Sequence, residues 1–534
     1  MALLPFVSVR LRNRFMGRRK QKAKNGAANF ESHRIAIMPS LEIREQKYAP
    51  ILRRASGTSR DVRRAPRKDR DKILYSQAWR RLAGVTQVIS PDGEDLILHT
   101  RMTHSEKVAQ VAWSIGANIL GNVDDDERLK IAQLGGLDLD MIEAAALAHD
   151  IGHPPFGHLG ESELDKAALS SGLADGYEGN AQSFRILMRL ARWKQFETGL
   201  NLCSGTMGAV LKYPWIRGAE YFDFPSSLTG DDLLSESESR GESPNALFWK
   251  KFGAYRTEES LLQKARAWLP ERFSQDGWKY TQTLEASVMD IADDITYAIH
   301  DLEDFILGGL IHLNEIEHEY QAGDRRARQS LYDSVEEDLS KKYKEYYDAA
   351  EMRLAEQWFQ GIFEQIHKIT SAARAEGSLE ASLLEVTGEW IDNFISDIEI
   401  RSEPAWKNGP LVVLSKKSWH KIHLLKAFTM NYIVNTPSVY AQQCSAKRLL
   451  SGLVNDLMTW AEKAPESLPI ELRSRYALFV RDDYESTGAR GHAENIQRLV
   501  IDYIASLTDH SARTLFAKLN PSGVDQIFGL SLLR

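Results

Sequence analysis

The stretch Ala144-Ala-Ala-Leu-Ala-His149-Asp150-Ile-Gly-His153-Pro154-Pro155-Phe-Gly-His158-Leu-Gly-Glu161 runs from a small-residue apolar helix into adjacent histidine and aspartate. A helix this rich in alanine packs closely, so its C-terminal end is held rigidly, and Pro154-Pro155 stops it from continuing. His153 and His158 are then expected on a stiff loop, so that three of the chain's 14 histidines stand within one short segment. A helix C-cap stabilised by the dipole would explain a histidine at that end, but not an aspartate, whose charge is disfavoured there. Neutral imidazole and carboxylate are ligands for divalent Mn, Fe, Co, Ni or Zn, and adjacent His149 and Asp150 supply two from one helix end.

Further ligands must come from other segments. Upstream, Ser105 to Leu120 carries Val108, Val111, Ala112, Ile115, Ile119 and Leu120 at helical spacing, which predicts an amphipathic helix. His104 stands at its start, where an exposed imidazole would point into a cleft, and Arg101 one turn earlier suits a phosphate. Downstream, Asp290-Ile-Ala-Asp293-Asp294-Ile-Thr-Tyr297-Ala-Ile-His-Asp301-Leu-Glu-Asp304 has one apolar face, while its opposite stripe is acidic with one tyrosine. Acids on one helical face repel each other, which is more readily explained by a cation beside them than by solubility alone. Two histidines and two aspartates would balance a divalent ion and leave positions open for water and a phosphate oxygen.

The whole chain fits this helical reading. Its 534 residues are 43% hydrophobic and 26% charged, an ordinary globular composition, and we expect a mainly α fold built on one large core with additions. Residues 1–40 are basic and resemble a disordered arm; they carry Arg10, Arg12, Arg14, Arg18, Arg19, Lys20, Lys22, Lys24 and Arg34 against Glu31. The metal-binding core is expected over 41–310, with a mobile acidic insertion at 226–245 (SSLTGDDLLSESESRGESPN). A charged helical insertion at 311–410 and a C-terminal helical region at 411–534 complete the division. No apolar run reaches the ~18 residues of a membrane span, and Cys203 and Cys444 lack any metal or disulfide spacing, so a soluble protein of a reducing, cytoplasmic compartment is expected. A net charge of −7 gives the chain as a whole no nucleic-acid footprint.

His104, His149-Asp150 and a later aspartate resemble the H…HD…D signature of the HD superfamily. Arg80-Arg-Leu-Ala-Gly-Val-Thr-Gln87-Val, Thr100-Arg-Met-Thr-His104-Ser, HDIGHPPFGHLGE, Tyr177-Glu-Gly-Asn180-Ala-Gln182-Ser-Phe-Arg and ADDITYAIHDLED look like blocks of the dGTP triphosphohydrolase family in their usual order. The resemblance covers roughly residues 60 to 310 and, more weakly, the C-terminal third. Tyr177, Leu159, the basic extension and the acidic insertion depart from the family pattern.

The resemblance implies a divalent metal, Mn or Mg foremost, held by His104, His149, Asp150 and Asp293, with Asp290 and Asp294 as alternatives to the last. It implies attack of water on the α-phosphorus of a deoxynucleoside triphosphate and departure of the whole tripolyphosphate, with Arg101, His153, Asn180 and Lys251 suited to the phosphates. His158 and Glu161 are spaced so that the carboxylate orients the imidazole for acid/base work. Gln87 and Asp301 are assigned to the sugar 3′-hydroxyl, and Tyr297 to the deoxyribose face, where it excludes a 2′-hydroxyl. The resemblance also implies a homo-oligomer, a hexamer or tetramer. Two rival readings are another HD phosphodiesterase or phosphohydrolase, and a single-stranded nucleic-acid-binding protein with a secondary metal site.

Overall fold

The computed structural model describes residues 36–52, 61–87, 100–193, 199–219, 231–241, 246–307, 325–376, 379–430, 437–474 and 488–520. The mainly α expectation holds: helices carry the fold, and the only sheets among the described residues are two antiparallel pairs, Ala36–Ile37 with Leu137–Asp138 and Ile398–Ile400 with Val412–Leu414.

Three helices form the centre. The helix Arg101–Asn122 starts at Thr100, whose side chain accepts the Thr103 amide, and it buries Val108, Ala112 and Ile115 completely. The helix Leu139–Ala148 starts at Asp138 in the same way, accepting the Asp140 amide, and is buried along nearly its whole length. Small residues make that possible, because Ala144, Ala145, Ala146 and Ala148 let neighbouring backbones approach. The third helix, Leu284–Leu307, packs on both. Its base is fixed by a fully buried ion pair, Lys47 Nζ to Glu285 at 2.6 Å, with the ammonium also donating to the Gly135 carbonyl at 2.9 Å. Shared hydrogen bonds are what let such a pair survive away from water.

The C-terminal region closes over the segment that follows the helix Leu139–Ala148. Helices Pro437–Lys463, Gly488–Ala505 and Asp509–Leu519 make a second apolar core, in which Leu450, Leu453, Val500 and Ile504 meet Leu164 and Ala168 of the helix Gly157–Ser170. A helix from 416 to 429 instead joins the central core against Leu284–Leu307.

Three expectations change. Residues 36 and 37, counted with the basic arm, form a strand that pairs with Leu137–Asp138; residues 1–35 lie outside the described residues. Part of the acidic insertion, Asp231–Gly241, is helical and packs on Gly157–Ser170; residues 226–230 and 242–245 lie outside the described residues. Polar contacts replace the missing apolar ones there: Ser237 Oγ accepts from Arg217 Nη2 at 3.0 Å and from Trp249 Nε1 at 2.7 Å. Among the described residues the charged insertion contains three helices and the strand Ile398–Ile400, which pairs with Val412–Leu414 just beyond it, and it buries Leu331, Tyr332, Val335 and Phe359 in the central core.

Candidate active site

The helix Leu139–Ala148 ends at His149, and the chain turns through Asp150–Gly152 before Pro154-Pro155. Every part of this turn is tethered. Ser183 Oγ donates to the His149 carbonyl at 2.8 Å and accepts the Gly152 amide at 2.9 Å, and Tyr177 Oη donates to the Gly152 carbonyl at 2.6 Å. Arg81 donates to the carbonyls of Ile151 at 2.9 Å and His153 at 2.7 Å. Phe156 adopts a left-handed φ of 65°, with its amide held by Asp509 at 2.9 Å, and Gly157 follows at φ +60°. A Cβ at Gly157 would stand 2.8 Å from Arg101 Nη2, so conformation and space both favour glycine there. The next helix starts at Gly157, which places His158 in its first turn and not in the loop expected from the prolines.

Four side chains, from two helices and the turn itself, converge here. His104 Nε2 lies 3.2 Å from Asp293 Oδ1, and His149 Nε2 lies 3.5 Å from the same oxygen and 3.4 Å from Asp150 Oδ1. His104 is buried, contrary to the exposed imidazole expected at a helix start. His149 Nδ1 donates to the Ala146 carbonyl at 2.7 Å, which leaves the Nε2 lone pair facing the carboxylates. That buried Nε2 has no hydrogen-bond partner of acceptable geometry. An orphaned imidazole nitrogen aimed at two carboxylate oxygens is the donor set a divalent cation takes, so these residues fit a metal. Without one, burial disfavours charge on His149, but Asp150 and Asp293 together lift its pKa to about 9.

The acidic stripe separates into distinct environments. Asp293 faces the histidines with Oδ1 and receives Lys212 Nζ on Oδ2 at 2.9 Å. Asp290 is held by Lys212 at 2.6 Å and by Gln282 at 2.8 Å, while Asp294 is held by Lys426 at 2.7 Å. The repulsion between acids on this face is therefore relieved in large part by two lysines. Arg101 likewise is no free phosphate ligand in this state: its Nη1 donates to Asp150 Oδ2 at 2.6 Å, although Nε and Nη2 remain buried without partners.

A second cluster adjoins the first. His153 Nδ1 stands 3.0 Å from Asp150 Oδ1, and its Nε2 is 4.0 Å from Glu161 Oε2. Burial and the Arg101 charge push the His153 pKa down to about 4, so the ring is neutral at physiological pH. His158, 64% exposed, places Nδ1 3.1 Å from Glu161 Oε2. Lys251 reaches in from the segment after the helix Ala246–Lys250 and divides its ammonium between Glu161 at 3.0 Å and Glu178 at 3.1 Å. Burial raises the pKa of both carboxyls, but Lys251 and His158 hold Glu161 well below the usual range, whereas Glu178 is pushed up to about 7. Glu178 caps the helix Gly179–Arg185 through the amides of Asn180 and Ala181 and binds Asn180 Nδ2 at 2.9 Å, which brings Asn180 beside Lys251.

Tyr297 and Asp301 follow Asp293 at successive helical turns on the same stripe. Asp301 is buried, its Oδ2 has no partner, and burial together with Asp304 raises its carboxyl well above the usual range. Gln87 Oε1 is a second buried oxygen without a partner.

A model described as the HD domain matches residues 101–198, and one described as a phosphohydrolase-associated domain matches 412–518. A deoxyguanosinetriphosphate triphosphohydrolase-like protein of Streptomyces coelicolor is 32% identical over 490 residues, which cover 89% of this chain and 95% of that one. This chain belongs to the deoxyguanosinetriphosphate triphosphohydrolase-like family. A relative of the same description from Corynebacterium efficiens is 30% identical over 90% of the chain and 96% of its own length, and one from Aliivibrio salmonicida is 28% identical over 86% and 93%. The HD match spans His104, His149, Asp150, His153, His158, Glu161 and Asn180 of this dGTPase-like chain and stops short of Lys251 and Asp293. No described helix is long and apolar enough to cross a membrane.

Sequence reading missed Lys212, Glu178 and Lys426. Lys212 follows the wholly buried helix Ser204–Val210, and a lone lysine at the end of so apolar a segment was the available clue. Glu178 sits inside the Tyr177-Glu-Gly-Asn180 block, where Asn180 drew the attention.

Proposed function

We propose that this protein hydrolyses deoxynucleoside triphosphates at the α-phosphorus, releasing deoxynucleoside and tripolyphosphate. The observation that carries the reading is the convergence of His104, His149, Asp150 and Asp293 around an orphaned imidazole nitrogen, with Lys212 on one flank and the Lys251 cluster on the other. We assign those four residues as ligands of a divalent ion, Mn or Mg, which when bound supplies Lewis-acid activation of water and a phosphate oxygen. Asp150 is already matched by Arg101 and Asp293 by Lys212, so a bound divalent ion leaves the site cationic. A surplus of positive charge suits a polyphosphate and does not suit a neutral substrate.

The chain's own residues divide the remaining work. Lys212, Lys251, Asn180 and the free Nη2 of Arg101 bind and align phosphate oxygens. His158, oriented by Glu161 and open to solvent, moves the proton between water and the departing 5′ oxygen. Neutral His153 donates a hydrogen bond at the junction of the two clusters. Gln87 and Asp301 hold the 3′-hydroxyl: each offers a buried oxygen without a partner, and burial with Asp304 beside it disfavours charge on Asp301. Tyr297 covers the sugar face and selects against a 2′-hydroxyl by steric exclusion.

The test is incubation of the purified protein with Mn or Mg and each of the four deoxynucleoside triphosphates and GTP, with products separated by chromatography. Tripolyphosphate and deoxynucleoside are expected. Release of pyrophosphate or orthophosphate, or turnover of cyclic nucleotides alone, would replace the reading with another HD phosphohydrolase reaction.

A further inference from the structure

The second cluster carries the donors of a metal site that the reaction assigned above does not use. One ligand atom each from His153, His158 and Glu161 lies within 4.8 Å of the other two. His158 Nδ1 is 3.1 Å and His153 Nε2 4.0 Å from one oxygen, Glu161 Oε2, and the two rings stand edge to face with centroids 5.1 Å apart. Ligand atoms about 2.1 Å from a tetrahedral zinc are roughly 3.3 Å from each other, which falls between these two separations. His153 is 5% exposed, and its Nε2 is buried with no hydrogen-bond partner. Its Nδ1 faces Asp150 Oδ1 at 3.0 Å, which favours the ring proton on that side and leaves the lone pair on Nε2, the side of Glu161. A buried nitrogen left open in this way calls for a ligand.

The remaining donors are free to meet it. Glu161 is fixed through Oε1, which accepts Lys251 Nζ at 3.0 Å and the Gly179 amide at 3.1 Å, so Oε2 is left for a cation. His158 is open to solvent, which provides an entry path and a water as fourth ligand. The donor set also chooses the ion. Two imidazoles and one carboxylate suit zinc, whereas Mn and Mg take shells richer in oxygen, such as the first cluster with its two aspartates. The Lys251 ammonium beside the same carboxylate repels any cation, which excludes ions held weakly by imidazole and admits one held strongly.

We propose that His153, His158 and Glu161 form a second, inhibitory metal site selective for zinc. A ring with one nitrogen on a metal has no lone pair left to take a proton, so zinc there removes His158 from its acid/base work. The binding half of the proposal is independent of the reaction assigned above; the inhibitory half rests on it.

Equilibrium dialysis against Zn, with elemental analysis after gel filtration, counts the sites. Two Zn per chain are expected in the natural protein, one in His158→Ala, one in Asp293→Asn, and none in the double variant Asp293→Asn, His158→Ala. Glu161→Gln, which keeps the shape of the side chain, should lose the same equivalent as His158→Ala. In an excess of Mn, Zn should lower the rate of dGTP hydrolysis on the order of a hundredfold, as loss of His158 does, while bound Mn stays near one per chain. The residual turnover of His158→Ala should respond to Zn by less than about twofold, because the group zinc acts on is already gone. Zn bound equally by the natural protein and His158→Ala, or inhibition that follows release of Mn from the first cluster, would overturn the proposal. So would a second Zn that leaves turnover unchanged. Absence of dGTP hydrolysis with a His158-dependent second Zn would instead count against the reaction assigned above.

Discussion

Two neighbouring clusters of histidine and carboxylate meet at Asp150, yet they are built for different tasks. In the first, His104, His149, Asp150 and Asp293 come from two helices and the turn that ends a third, the first three are buried and Asp293 is half-buried, and an imidazole nitrogen is left without a partner. In the second, His153, His158 and Glu161 come from one short segment, both ring nitrogens of His153 are likewise buried without a partner, but His158 is open to solvent and Lys251 already supplies positive charge. On the proposed reading, the same residue types hold a cation where the carboxylates converge on buried histidines, and handle protons where a lysine and solvent access fix the charge.

The largest expected effect breaks the first cluster alone. Asp150→Ala and Asp293→Asn should each remove the bound metal, measured by elemental analysis after gel filtration, and lower turnover on the order of a thousandfold or more. His158→Ala should leave the metal content near one per chain and lose on the order of a hundredfold in kcat. Loss of metal in His158→Ala as well would mean that the two clusters form one site, and the contrast drawn above would fall.

A smaller effect is expected at Tyr297, which stands on the same helical stripe as Asp293 but binds neither cation nor proton in this scheme. Tyr297→Ala should reduce the preference for dGTP over GTP by roughly tenfold, since steric exclusion of a hydroxyl by an apolar wall supplies about 1–3 kcal/mol. The ratio of kcat/KM values for the two substrates is the measurement, and an unchanged ratio would move the sugar discrimination to other residues.

How much of this was legible in the sequence follows the same division. Local features were readable: the helical periodicity around Ile115, the stop at Pro154-Pro155 and the pairing of His158 with Glu161 all depend on residues a few positions apart. The choice of Asp293 over Asp290 and Asp294 came through the family resemblance, and the approach of Asp293 Oδ1 to His104 at 3.2 Å and His149 at 3.5 Å was invisible. Lys212 and Lys426 lie 81 and 132 positions from the acids they meet, a separation no local pattern encodes. The helix at Asp231–Gly241 was missed for a related reason. Its burial comes from Arg217 and Trp249 acting on Ser237, whereas periodicity registers apolar residues only.

Removing Lys251 tests the feature that distinguishes the second cluster. In the natural protein one ammonium serves two buried carboxylates, with Glu161 held ionised and Glu178 raised to about 7. In Lys251→Met both carboxyls lose that cation. In the natural fold Glu161 stays ionised below its ordinary value, so the two proteins should match only at still lower pH, where both carboxyls are protonated in folded and unfolded chains alike. As pH rises, the unfolded chain releases both protons near their ordinary values while the folded variant must ionise them in a buried site without a counter-charge. The stability difference should therefore already be open at about pH 4.5, because Glu161 is ionised in the natural fold below that pH, and should keep growing past 7, where Glu178 titrates in the natural fold. Lys251 is one-third exposed, which limits the loss at pH 8 to about 1–2 kcal/mol. Thermal midpoints of Lys251→Met, of Lys251→Arg as the charge-preserving control, and of the natural protein across pH 4.5 to 8.5 measure it. A difference that is flat with pH would show that Lys251 acts on Glu161 and Glu178 by packing and not by charge, leaving the second cluster without its own cation.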